Sequence, residues 1–306
     1  MKPTLLTLLV ALLFAANLLV GSTMECDSFI ILSLRLPAAV TALVAGAALA
    51  GGGLVMQTLF RNPLADPSIL GVSGGAGLGA AIALLAFGSY ALSAGFAFVG
   101  ALAVIALLTA ASSWLRSTSG LLIVGIMLSF IISSATMLLN FFATAEGVRS
   151  YIIWGMGDFS GVTGQRLALY AVGATAVIAL FPLAIKPLDA LLLGTDYARS
   201  LGIDVRRWRT VLLVVVGWLT ALTTAACGPI AFLGLAVPHG ARLITGTATH
   251  RSLLPVTLLL GSATALACLL LTHLPTALGL THSVLPLGAL TPLLGAPVVI
   301  YLLIKN

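Results

Sequence analysis

In a chain of 306 residues, 60% are hydrophobic and only 7% are charged, which leaves too little polar surface to cover a water-soluble globule. The 14 basic residues outnumber the 8 acidic ones, for a net charge of +6, yet they form no basic block that would mark a nucleic-acid partner. The composition points to an integral membrane protein.

A spanning helix needs roughly 20 apolar residues to cross about 30 Å of hydrocarbon. Ten segments qualify, at approximately 4–21, 38–60, 69–87, 91–115, 120–142, 167–185, 210–226, 230–245, 253–271 and 284–304. They are apolar all round and lack the alternation of a membrane β-barrel, so helices are the remaining way to satisfy the backbone. The first follows Lys2 and resembles a signal peptide. Its apolar run of about 16 residues is long for that role and no A-x-A-like cleavage site follows, so it reads as an uncleaved span. The eighth is the weakest, because Pro238, His239 and Arg242 interrupt it. With the N-terminus inside, 11 of the 14 basic residues fall on the inner side, leaving Arg35, Arg149 and Arg166 outside. This bias predicts that both termini are cytoplasmic. Connections between spans are short, which predicts one transmembrane domain over 1–306.

Taken in order, the first connection carries Cys26 and Arg35; Cys26, Cys227 and Cys268 have no metal-ligand spacing. Small residues dominate the second and third spans, including Gly51, Gly52, Gly53, Gly71, Gly74 and Gly75, a pattern that permits close helix packing in lipid and seams along which helices can shift. Between those spans lies Arg61-Asn62-Pro63-Leu64-Ala65-Asp66-Pro67. Its two prolines lack the backbone donor and push Asn62 and Asp66 out of helix, predicting turns where the second span ends. Gln57 and Asn140 are isolated polar residues within spans, suited to a hydrogen bond between helices or to lining a pathway. The inner segment Thr195-Asp196-Tyr197-Ala198-Arg199-Ser200-Leu201-Gly202-Ile203-Asp204 reads as a short amphipathic helix, capped by Thr195 or Asp196 and stopped by Gly202. Tyr197, Leu201 and Ile203 would supply its apolar contacts. Glycine-rich, proline-punctuated stretches recur at 46–75 and 228–246, so spans two to five and seven to ten can be read as inverted halves. His273 and His282 flank the last outer loop, where imidazole could serve as a transient haem ligand.

No nucleotide-binding G-x-x-x-x-G-K-[ST] and no H-E-x-x-H occur, so neither a catalytic nor a metal site is assigned to the chain. Ion-coupled carriers usually place ionisable residues within their spans; almost none are seen here, which argues against a self-sufficient secondary transporter or channel. A membrane-embedded sensor or scaffold is a third reading.

Over essentially its whole length the chain resembles the permease subunits of type II ABC importers for ferric siderophores, haem and cobalamin. The resemblance rests on Arg35-Leu36-Pro37, Gly46-Ala47-Ala48-Leu49-Ala50, Met56 through Pro67, Leu70-Gly71-Val72-Ser73, Trp154-Gly155-Met156-Gly157, Ala198 through Gly202, Gly228 through Leu235, Val237-Pro238-His239, Leu285-Pro286-Leu287-Gly288 and Gly295-Ala296-Pro297. It implies an all-α fold of about ten transmembrane helices in the bacterial inner membrane. It also implies a homodimer with the pathway along its interface, two cytoplasmic ATP-binding subunits that hold ATP and magnesium, a periplasmic binding protein, and no cofactor in this chain. The segment 195–204 then matches the family's coupling helix, and Arg61, Asn62, Pro63, Leu64, Asp66 and Pro67 its ATPase-side support. Arg35 and Arg149 would dock the binding protein. The second and fifth spans resemble the elements lining the pathway. Where family sequences commonly carry a second outer arginine this chain has Ala38, which implies that one pairing is weakened or relocated to Arg149. The usual glutamate before the last Leu-Pro-x-Gly is Val284, and Cys268 stands where an acidic residue is common.

Overall fold

The computed structural model describes residues 3–21, 27–68, 70–115, 118–281 and 283–305. Lys2, Cys26 and His282, read above, and Arg116, one of the basic residues counted on the inner side, lie outside the described residues. The helices are α1 (Pro3–Leu19), α2 (Ser28–Ile30), α3 (Leu36–Phe60), α4 (Val72–Ala81), α5 (Tyr90–Trp114), α6 (Thr118–Phe142), α7 (Ala145–Gly155), α8 (Gly164–Ile178), α9 (Ile185–Leu193), α10 (Thr195–Ser200), α11 (Val205–Cys227), α12 (Leu233–Thr245), α13 (His250–Ala277) and α14 (Leu287–Lys305). Short π-helical turns, Ile31–Arg35 and Ile82–Ala86, lead into α3 and out of α4. Among the described residues the architecture is all helical.

Every one of the ten apolar segments holds a helix. Among the described residues six helical stretches are long and apolar enough to cross a membrane, and three shorter apolar ones match the first, third and last segments. The eighth segment is α12, with Pro238 inside it. The sixth lies within one span-length stretch, Gly164–Leu193, whose helix is interrupted: α8 stops at Ile178 and a 3-10 turn, Phe181–Ala184, precedes α9. Pro182 sits at the start of that turn, where its missing N–H leaves no acceptor unmatched.

The chain divides into two compact units, 1–51 with 156–178 and 230–306, and 52–155 with 179–229. Neither matches the two halves, spans two to five and seven to ten, suggested by the recurring glycine-rich stretches.

In the first unit, α1 and the first part of α3 pack on α13. A Cβ on Gly46 would lie 2.2 Å from the Gly261 carbonyl oxygen, and one on Gly261 would lie 2.3 Å from that of Gly46, so the two backbones touch with nothing between them. Polar groups tie the same helices: Ser262 Oγ donates to Leu43 O at 2.8 Å and Asn17 Nδ2 to Leu266 O at 3.0 Å. In an apolar medium such bonds to main-chain oxygens satisfy groups that would otherwise go without partners.

In the second unit α4 packs on α5 through a second glycine seam. Cβ atoms on Gly75 and Gly79 would meet the carbonyl oxygens of Gly100 and Phe96 at 2.6 and 2.0 Å. Further along α5, Ile105 fills the space over Gly217 of α11, where a Cβ would come within 2.6 Å of its side chain. By contrast α6 leaves Ile123, Phe130, Ile131, Met137, Phe141 and Phe142 exposed, an apolar surface suited to lipid or to another protein.

Candidate functional site

The loop after α3 and the segment around α10 come together in the second unit. At the end of α3, Arg61 takes a left-handed conformation, φ 48°. Its N–H donates to Thr58 O at 3.2 Å, and the N–H of Asn62 donates to Gln57 O at 3.1 Å. This is the paired-bond helix stop that glycine usually makes, built here on an arginine. Asn62 Oδ1 then accepts from the Leu64 N–H at 2.9 Å, and Asp66 Oδ1 accepts both the N–H and the hydroxyl of Ser68. The polar side chains that precede the two prolines, Asn62 and Asp66, are thus the turn-formers of this loop. Arg61 Nη1 lies 3.8 Å from the position a Cβ would take on Gly194, so the loop reaches the start of α10.

Asp66 is buried. Burial raises its pKa above the ordinary carboxylate value, and the two bonds from Ser68 offset this only in part. A raised carboxyl pKa adds stability that is fully present below the unfolded value, about 3.9, and is lost as pH rises through the folded value. Asp66→Asn keeps an acceptor for Ser68 and removes the charge. Thermal unfolding in detergent should show the variant losing less stability than the parent as pH rises from the acid range toward neutrality; parallel curves would refute the assignment.

The coupling segment differs from its sequence reading at the first residue. Neither Thr195 nor Asp196 caps α10: Gly194, at φ 125° and ψ 157°, is the cap and no side chain bonds there. The backbone turns at Gly194 straight from α9 into α10, and Asp196 instead pairs with Arg199 at 3.1 Å, with both side chains exposed. The expected stop at Gly202 is present. With φ 77°, its N–H donates to Arg199 O at 2.9 Å, and the N–H of Ile203 donates to Ala198 O at 3.0 Å, the two bonds of a Schellman end. Asp204 accepts from the Arg207 N–H at 3.0 Å and caps α11. Ala198 is buried, whereas Tyr197 and Leu201 are exposed. With Ile203, Leu193 and Trp208 the latter two line an open groove of about 670 Å³.

The other predicted residues lie elsewhere. Gly52 sits where a Cβ would be 3.1 Å from Val216 and 3.7 Å from Pro67, and Gly74 where one would be 3.5 Å from Ile132. Gly51, Gly53, Gly75 and Gln57 are buried, and Gly71 begins α4 with φ 82°. Asn140 makes no bond to another helix through its amide nitrogen; Nδ2 donates to Thr136 O one turn back on α6, at 2.9 Å. Arg149 is exposed on α7. Arg35 is not: it is 7% exposed, and its Nη1 donates to Leu18 O and Leu19 O at 3.0 and 2.8 Å. Helix C-termini leave carbonyls unpartnered and carry partial negative charge, so α1 draws this guanidinium inward. The docking role expected of Arg35 does not fit a side chain so placed. His273 lies in the last turns of α13, next to the connection that precedes α14. It lines a cavity of about 170 Å³ with Asn17, Arg35 and Ser160.

Two residues counted above only for topology turn out to have structural bonds. Arg209, buried, donates through Nε to Ser112 Oγ at 3.1 Å and through Nη2 to Ser112 O and to Leu115 O. Arg206 Nη2 donates to Ser113 O at 2.7 Å. Three arginines lie within Arg206-Arg207-Trp208-Arg209, and the sequence gives no hint of which turns inward.

Comparison with known proteins places these features in context. Residues 4–305 match the model of the FecCD transport family. The vitamin B12 import system permease protein BtuC of Citrobacter koseri is 40% identical over 283 residues, spanning 89% of this chain and 82% of that protein. BtuC of Salmonella typhimurium is likewise 40% identical, with 89% and 83% covered. A solved structure described as an inward-facing conformation of a metal-chelate type ABC transporter superposes with a TM-score of 0.90 at 30% identity, covering 99% of each chain. PsaBC of Streptococcus pneumoniae, at 15% identity and a TM-score of 0.58, shares the fold alone.

Proposed function

Since this chain belongs to the FecCD transport family and is a permease subunit of an ABC importer, we propose that it imports a bulky chelate, cobalamin before ferric siderophore or haem, across the bacterial inner membrane. In this reading 1–306 works as one permease domain with both termini cytoplasmic. It pairs with a second copy of itself, takes substrate from a periplasmic binding protein, and is driven by two cytoplasmic subunits that bind ATP and magnesium. The chain itself performs no catalysis.

The observation that carries the proposal is α10. A six-residue helix with an exposed ion pair, a backbone turn at one end and a hydrogen-bonded glycine stop at the other is small, well defined and outward-facing, as a lever fitting a motor cleft must be. Arg61 and its loop stand beside it and hold the end of α3. ATP binding would displace α10, and the motor's different affinity for inward- and outward-open states would drive the exchange between them. Docking of the binding protein falls to Arg149, and the exposed apolar face of α6 meets lipid or the second copy.

The cobalamin preference rests on the relatives, which are vitamin B12 import permeases, and the selectivity itself would reside in the separate binding protein. The test is reconstitution of the purified permease with its ATP-binding subunit and binding protein in vesicles, followed by uptake of cobalamin, a ferric siderophore and haem. ATP-dependent accumulation of cobalamin is the expected result. Uptake that persists without ATP would instead establish a secondary transporter, and ATP turnover without accumulation of any of the three would establish a scaffold.

A further inference from the structure

The C-terminus of α5 presents carbonyls with no partner inside the helix, as every helix end does. Three of them, on Ser112, Ser113 and Leu115, accept hydrogen bonds from Arg206 and Arg209, and Ser112 adds its hydroxyl. Both arginines stand at the start of α11. Two guanidinium groups on one negative helix end make a charge-assisted attachment, stronger than neutral hydrogen bonds.

What lies on either side of this attachment matters. The first turn of α11 follows α10 after only Leu201 to Asp204, and those residues are locked by the Gly202 stop and the Asp204 cap. On the far side, α5 forms the glycine seam with α4 through Gly100 and Phe96, while Ile105 over Gly217 adds an apolar contact to α11 itself. A displacement of α10 therefore reaches the beginning of α11 with little slack, and the end of α5 is fastened to that same turn.

We propose that Arg209, with Arg206 beside it, is the tie that makes α5 and its glycine seam follow the coupling helix. Arg209 acts as a positioning residue that converts motor movement into re-packing of the α4–α5 pair. The inference rests on the permease reading and adds to it the element that α10 moves. The bonds to the α5 end come from Arg206 and Arg209, and the exposed Arg207 is assigned no part in the tie.

The experiment measures uptake and ATP hydrolysis in vesicles containing the complete complex, and reports molecules moved per ATP. Arg209→Ala should lower that ratio by about tenfold, the range of a moderate coupling free energy, while the ATP-binding subunit still co-purifies. Arg209→Lys keeps the charge and loses the forked geometry, and should fall between the two. Arg206→Ala, which removes one bond, should show a smaller loss. A parental ratio in Arg209→Ala overturns the tie, as does an equal loss of uptake and ATP turnover, the mark of a merely structural role. If Arg209→Ala fails to assemble, Arg209→Lys carries the test, and a parental ratio there overturns the tie. A parent complex that hydrolyses ATP and moves no substrate overturns the permease reading itself, an outcome distinct from either.

Discussion

Gly261→Val should yield little or no folded protein, and what survives should unfold far below the parent in detergent. A Cβ at this position would lie 2.3 Å from the Gly46 carbonyl oxygen and 2.5 Å from the Ala50 Cβ. The first of these is main chain, so no rotamer change relieves the clash. α3 and α13 would have to separate by an ångström or more, and valine adds two further methyl groups. Overpacking of this kind costs about 1–3 kcal/mol and occasionally more. Parting the helices also stretches the adjacent Ser262 bond to Leu43 O, which places the expected loss at about 3 kcal/mol or above. Gly95→Ala is the control. Nothing lies within 4 Å of its added carbon, and alanine favours helix over glycine by roughly 1 kcal/mol, so that variant should match or exceed the parent. A Gly261→Val protein with the parental unfolding temperature would show that the helices are not in backbone contact.

Gly202→Pro should leave a complex that assembles and hydrolyses ATP but moves little substrate. The native φ of 77° is closed to proline, whose ring holds φ near −65°, and the N–H that bonds Arg199 O disappears with it. Since nothing lies within 4 Å of a Cβ added at Gly202, the effect is on the backbone: the stop dissolves, and the link from α10 to Asp204 loses its geometry. Transport per ATP should drop by about tenfold or more. A graded series sharpens the test. Gly202→Asn should be mild because asparagine enters the left-handed region readily, and Gly202→Ala should be worse by a share of the roughly 1–2 kcal/mol that the conformation costs other residues. Normal transport per ATP in the proline variant would remove α10 from the coupling role.

Much of this molecule is legible along the chain, because its strongest signals are local. Unbroken apolar runs mark the helices whatever their neighbours, and Gly202 and the Asn62–Pro63 pair announce turns whose chemistry lies within five residues. The misreadings have a common origin in partners distant along the chain or in the backbone itself. Thr195 and Asp196 are good capping residues, yet the path of the chain at Gly194 closes α10 without them. Arg35 reads as an exposed charge at a span edge, and only the neighbouring α1 terminus explains why it turns inward. Asn140 finds its acceptor on its own helix, since a carbonyl one turn back is always within reach. Gly100 and Gly261 have no glycine beside them in their apolar helices. Their importance comes wholly from Gly75 and Gly46 across the seam, a pairing no window of sequence contains.

The two seams also differ in when they can form during synthesis. Gly75 and Gly100 belong to consecutive helices, so the α4–α5 pair can close as soon as both have left the ribosome. The first unit has to wait. Asn17 bonds to a carbonyl 249 residues further on, and Ser262 reaches back 219 residues to Leu43. At about 5–20 residues per second, α1 and α3 stand in the bilayer for roughly ten to fifty seconds before α13 arrives. During that interval the glycine face of α3 and the Asn17 amide are open to any passing helix. A chain halted before residue 250 would keep a closed α4–α5 pair and an orphaned α1, a form that membrane proteases and insertases could tell from the finished subunit.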